Sequence, residues 1–148
     1  MIVPGKAHVV TSAEGRTVDL GVARMRLLAG ADSTDAFALT EFCGTSGGAW
    51  TVPHLHRGFE ESFFVLDGLF TFTVGEELVE ADPGTYILVP RGMSHTISAA
   101  AGGGRFLTLM VPGGLEEMFF ELGRQSSNAI RDPAARAAIS ARYDSIPV

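Results

Sequence analysis

A chain of 148 residues, 46% hydrophobic and 19% charged, is long enough to bury one core and too apolar to be a disordered tail, so one domain is expected. Its 17 acidic and 11 basic residues leave a formal charge of −6, and no Lys/Arg cluster forms a phosphate-binding stripe, so nucleic acid is not an expected partner. The single cysteine, Cys43, cannot close an intramolecular disulfide and is expected as a small buried hydrophobe; no run approaches the ~18 apolar residues of a bilayer span and no charged leader precedes a long apolar core, so a cytoplasmic chain with no membrane partner is expected.

In chain order, Gly and Pro punctuate short apolar or alternating segments that predict strands over 18–28, 37–42, 49–56, 62–66, 70–74, 86–89, 95–99 and 105–111. The breakers between them include Asp67-Gly68, Asp82-Pro83-Gly84, Pro90-Arg91-Gly92 and Gly102-Gly103-Gly104. Many short strands with turn signals predict an all-β sandwich or barrel. Helical spacing appears only late, in LEEMFFELGR, where Leu115, Met118, Phe119 and Leu122 share one face and Gly123 or its neighbours end the helix. That stripe is expected to pack on the sheet. A second helix is predicted from Asp132 as N-cap, with Pro133 in the first turn, through AARAAISARY. Residues 126–131 would be a hinge between the two. No internal repeat divides the chain, so a barrel over about 15–112 and a helical segment over about 113–148 are expected to form one domain.

The run PHLHRGFEESFFVLDG, residues 53–68, sets ionisable groups against an apolar segment. If 50–56 is extended, a period of two places Trp50, Val52, His54 and His56 on one face. The next strand begins at the glutamates; with Phe63 and Val65 inward, Glu61 is inward and Glu60 outward. A buried unpaired carboxylate is costly, and divalent first-row metals take mixed nitrogen and oxygen donors, so a metal relieves the cost. A fourth donor is expected among His8 and His95. His95 follows a Pro-Gly turn that opens a strand, whereas His8 has no such context and reads as a surface residue.

These residues resemble the two motifs of the cupin superfamily. Gly48, His54, His56, Glu61 and Gly68 stand at the spacing of the first motif, and Gly84, Pro90, Gly92 and His95 at that of the second, with Ala99 where an Asn is expected. The fifteen residues 69–83 form a short spacer, and VPGGLEEMFFELG is similar to the tail of small quercetinase-like bacterial cupins. The resemblance implies a cupin jelly-roll β-barrel (a double-stranded β-helix) with two short C-terminal α-helices. It implies His54, His56, Glu61 and His95 as ligands of one divalent transition metal ion: Fe, Mn, Ni, Co, Cu or Zn. Four ligands leave one or two coordination positions open for water, oxygen or substrate.

The inward candidates Trp50, Val52, Phe63, Val65, Phe70, Phe72, Ile97, Phe106 and Met110 predict an apolar, aromatic pocket for a flat small-molecule organic substrate. Trp50, Val52, Phe63, Phe72, Phe106 and Met110 are expected to line the pocket, and Glu61 is the candidate catalytic base. By resemblance to quercetinase-like cupins, the activity expected is an O2-dependent dioxygenase acting on an aromatic, polyketide-like or flavonoid-like substrate. The alternatives are a redox-neutral cyclase or isomerase using Zn or another divalent ion as Lewis acid, and a non-catalytic ligand-binding module. Arg57 is expected on the surface. Members of the family often pair, so a homodimer is expected, with the stripe from Leu115 to Leu122 as one surface for it.

Overall fold

A computed structural model describes residues 5–125 and 133–148. The expected hinge at 126–131 and the N-cap at Asp132 lie outside the described residues. The elements in order are β1 (Thr17–Asp19), β2 (Arg24–Ala29), β3 (Ala38–Gly44), β4 (Gly48–Ala49), β5 (His54–Leu55), β6 (Glu60–Val74), β7 (Glu77–Ala81), β8 (Tyr86–Val89), β9 (His95–Val111), α1 (Glu116–Arg124), α2 (Pro133–Ala141) and β10 (Ile146–Pro147). The strand pairs are antiparallel and form the jelly-roll barrel, with two short helices after it. No helix among the described residues is long and apolar enough to cross a membrane.

Two long strands organise the sheet. β9 pairs with β3, β4, β5 and β6, while β6 also carries β8 at its start and β7 at its end. Sequence punctuation predicts a break inside each of β6 and β9, and neither break occurs. Asp67-Gly68 and Gly102-Gly103-Gly104 are instead irregularities inside continuous strands, with the β6–β9 register shifting between Val65 and Asp67 and between Gly68 and Phe70. Gly68 has φ +82°, and a Cβ there would meet the Gly103 carbonyl oxygen at 2.3 Å. The glycines therefore let two backbones approach and bend together instead of turning the chain. A shift of this kind also switches parity. In β6 the buried apolar set passes from Phe63 and Val65 to Phe70 and Phe72; in β9 it passes from Ile97 and Ala99 to Phe106 and Met110.

Other boundaries also move. The predicted strand 18–28 is two strands, because Gly21 (φ +90°) turns the chain and its N–H donates to Asp19 Oδ1 at 2.8 Å. The predicted strand 49–56 is interrupted between β4 and β5, and β7 and β10 are additional strands. α2 stops at Ala141 instead of reaching Tyr143, where a turn leads into β10. Cys43 is exposed rather than buried as expected, because Ala38, Thr40 and Phe42 are the buried positions of β3 and Cys43 has the opposite parity.

The main core fills the barrel with Phe42, Phe63, Phe70, Phe72, Ile97 and Phe106 among its members. A second cluster of Ala38, Phe59, Met110, Leu115, Met118 and Ile139 fastens the helices to the sheet. Phe119 reaches the main core edge-on to Phe42, with centroids 5.2 Å apart. The apolar stripe of α1 is thus covered within the chain and gives no reason by itself for a second copy. Phe120, outside the predicted stripe, is buried beneath the Arg16 guanidinium, 3.7 Å from its ring centre.

Candidate metal centre

Three strands bring the candidate donors together. His54 in β5 lies directly opposite His95 in β9, and Glu61 at the start of β6 is flanked by Val89 and Met110. The imidazole centroids of His54, His56 and His95 are 4.3, 4.9 and 5.1 Å apart pairwise. One ring nitrogen from each lies within 4.8 Å of the others, so the three histidines are positioned to hold a metal ion. Glu61 Oε2 is 2.8 Å from His56 Nε2 and 3.8 Å from His95 Nε2. Glu60 faces outward toward Arg91, 3.9 Å away. His8 is remote, with its Nε2 2.7 Å from the Leu28 carbonyl oxygen.

The outer nitrogen of every imidazole is committed to a backbone carbonyl. Nδ1 lies 2.6 Å from Val52 O for His54, 2.7 Å from Asp144 O for His56 and 3.1 Å from Met93 O for His95. A carbonyl only accepts, so Nδ1 carries the proton, and in the neutral ring the Nε2 lone pair is left for a ligand. Nε2 of His56 and His95 and Oε2 of Glu61 are buried without an aligned hydrogen-bond partner. The 2.8 Å approach of His56 to Glu61 is therefore an off-axis contact, as expected of donor atoms aimed at one centre rather than at each other. Orphaned buried donors of this kind fit a divalent cation.

Burial and neighbouring charge set the protonation states in opposite directions. Burial, aided by the charge of His95, lowers His54 to about 4. Burial also lowers His95. For His56, burial works downward, but contact with Glu61 and the Asp144 carbonyl outweigh it and the pKa is raised. Burial pushes Glu61 upward, and the nearby imidazoles, His56 foremost, more than reverse this, so its carboxyl is held below the ordinary value. Two rings are thus ready as neutral ligands beside a carboxylate.

The donors open into a cavity of about 280 Å³ lined mainly by apolar groups, which suits one small organic molecule. Of the predicted pocket residues, Trp50, Val52, Phe63 and Phe106 lie in its wall. Val52 is at the rim, 56% exposed, because 50–53 is not a regular strand; Trp50 is held by its indole N–H donating to the Ser46 carbonyl at 2.8 Å. Phe72 and Met110 are not in the wall. Phe72 packs in the barrel core, 5.0 Å from Phe63, and Met110 belongs to the cluster under the helices. Residues after β9 complete the lining, including Leu115, Met118, Phe119, Arg136, Ser140 and Ser145. The stripe of α1 was legible as an apolar face, but such a face looks the same in sequence whether it packs or lines a cavity. For Ser145 and its neighbours no spacing offers a signal.

Comparison with known proteins places these features in context. Residues 44–112 match the family model of the Cupin domain. The chain is 26% identical over 116 residues to quercetin 2,3-dioxygenase of Bacillus subtilis (strain 168), a match covering 78% of this chain and 34% of that enzyme. It therefore spans about a third of that relative's length. Among solved structures, KdgF from Halomonas sp. superposes with a TM-score of 0.67 at 18% identity, over 76% of this chain and 99% of that one. The polyketide cyclase RemF from Streptomyces resistomycificus has a TM-score of 0.62 at 22% identity, over 90% of this chain and 99% of that one.

Proposed function

We propose that this chain, a member of the cupin superfamily, is a metal-dependent enzyme in which His54, His56, His95 and Glu61 hold one divalent transition-metal ion at the wall of a small-molecule cavity. One observation carries this reading: three imidazoles with their Nδ1 atoms tied to carbonyls converge beside a buried carboxylate. The proposed reaction is O2-dependent dioxygenation of an aromatic, flavonoid-like or polyketide-like substrate, supported by likeness to quercetin 2,3-dioxygenase. When bound, the ion supplies Lewis-acid polarisation of a substrate oxygen and, if redox-active, a path for electrons toward dioxygen.

The protein's own groups do the remaining work. Glu61, kept ionised by the imidazoles, accepts a proton from an acidic substrate hydroxyl or α-carbon. Trp50, Phe63 and Phe106 present aromatic surface to a flat substrate and exclude water around it. Thr108 is also in the wall, and its Oγ1 is buried without a hydrogen-bond partner. A redox-neutral cyclase or isomerase is the second reading. It is favoured by the coverage of RemF, whose likeness extends over 90% of this chain, and it uses the same carboxylate for proton transfer.

Protein purified without added metal or chelator is expected to carry close to one equivalent of metal and to consume oxygen only with a substrate from a panel of flavonols, diketones and aromatic polyketides. The double variant His54→Ala/His56→Ala should lose the metal while keeping its circular dichroism. Metal retained by that variant sinks the ligand assignment. Zinc, with product formed and no oxygen consumed, transfers the activity to the cyclase or isomerase.

A further inference from the structure

We infer that Asp144, in the turn between α2 and β10, is a positioning residue of the metal centre, holding His56 and the loop that leads to Glu61. The inference rests on the metal-site reading above. His54 and His95 each bond a carbonyl two residues earlier, Val52 and Met93, so their orientation is local. His56 has no such local support: its Nδ1–H donates to the carbonyl of Asp144, 88 residues away, at 2.7 Å.

The same residue grips the chain on the other side. The Asp144 carboxylate accepts the Arg57 N–H, 3.0 Å from both oxygens, and the Gly58 N–H at 2.6 Å from Oδ2. One side chain and one carbonyl therefore bind three consecutive residues, His56 to Gly58. Asp144 makes both contacts from an unusual backbone: it is the only non-glycine among the described residues with positive φ, at +58°. Asp tolerates that region better than most residues. β10 then anchors the turn, with Ile146 opposite Leu55, Pro147 opposite His54, and the Val148 N–H donating to the Pro53 carbonyl at 3.2 Å. The His56 ring, stacked on Phe59 at 4.4 Å, is thus fixed on one edge by the barrel and on the other by the segment after the helices. Outer partners of this kind orient a ligand and set its tautomer.

The test uses Co²⁺ added to metal-free full-length protein, read by its visible absorption, together with the melting temperature of the metal-free form. Asp144→Gly keeps the left-handed backbone and removes the carboxylate. It is expected to weaken Co²⁺ binding about 10–100-fold and to alter the absorption bands, while the metal-free melting temperature stays within a few degrees of wild type. Asp144→Asn, which keeps one acceptor oxygen, should fall between the two. Wild-type affinity and spectrum in both variants overturn the inference. So does an affinity loss in Asp144→Asn accompanied by an unchanged spectrum and a matching loss of melting temperature, the signature of a purely structural role. If wild-type protein binds no Co²⁺, the metal reading fails separately, and hydrogen exchange of the His56 Nδ1–H decides: slow in wild type and fast in Asp144→Gly supports positioning, and equal rates overturn it.

Discussion

His54 is the histidine at which burial has the clearest consequence for stability. Its pKa in the fold is about 4, against 6.5 for an ordinary imidazole. Between those values the unfolded chain binds a proton that the folded chain refuses, so unfolding is favoured as pH falls from 6.5 to 4 and unaffected by this group above it. His95 is lowered too and acts in the same direction. His56, raised above 6.5, has the opposite sign: its contribution is present at low pH and lost as pH rises through its folded value. The His54 part is isolated by comparison with His54→Gln. Urea unfolding of the metal-free proteins at pH 7 and 4.5 should show wild type losing about 2 kcal/mol more than the variant between the two pH values; equal losses would assign the acid sensitivity to other groups. The His-x-His pair and Glu61 were legible in sequence because strand parity acts over one or two residues. Asp144 was not, since it meets His56 across 88 residues of sequence and does so from a left-handed backbone that no spacing announces.

At the level of elements, the glycines of β6 and β9 decide whether the sheet can fold over its own core. Gly68 stands opposite Gly104, and a Cβ on Gly68 would fall 2.3 Å from the Gly103 carbonyl oxygen and 2.7 Å from the Gly104 Cα. Gly102 has a similar φ of +91°, yet a Cβ there meets nothing within 4 Å. The two positions separate conformational strain from collision. Gly102→Ala should cost about 1–2 kcal/mol, the penalty of a left-handed backbone with a side chain. Gly68→Ala carries the same penalty and adds overpacking against backbone that cannot rotate away, for a total of roughly 3–5 kcal/mol. Chemical denaturation of both variants tests the difference, and similar losses would mean that the close approach relaxes freely. Sequence punctuation misread these sites because Asp-Gly and a glycine run signal a turn and a close backbone approach in the same letters. The alternation within each half strand was readable; the continuity across the bend depends on a partner strand some forty residues away.

In the whole molecule, the site is shared between two bodies of unequal attachment. The barrel supplies the imidazoles and Glu61 and is held by the long β6–β9 ladder and its aromatic core. The segment after β9 closes the cavity with α1, α2 and β10; α1 reaches the main core through Phe119 and Phe120, and the rest is fastened by a smaller apolar cluster and by a two-residue pairing of β10 with β5. A smaller apolar cluster and a shorter ladder mean a lower free energy of local opening. Ile139 tests this: it is 6% exposed, belongs to the fastening cluster and is not in the cavity wall. Ile139→Ala should cost about 2–4 kcal/mol. Most of that loss should fall on the closing segment, so that amides of α1, α2 and β10 exchange faster by one to two orders of magnitude while those of β6 and β9 are slowed or quickened far less. Phe72→Ala, in the barrel core, should instead accelerate exchange throughout. Equal acceleration of both bodies in Ile139→Ala would make the fold one cooperative unit. If the closing segment opens alone, cavity access is gated by the same helices and strand that hold Asp144 against His56, and ligand entry and metal retention become linked through one local equilibrium.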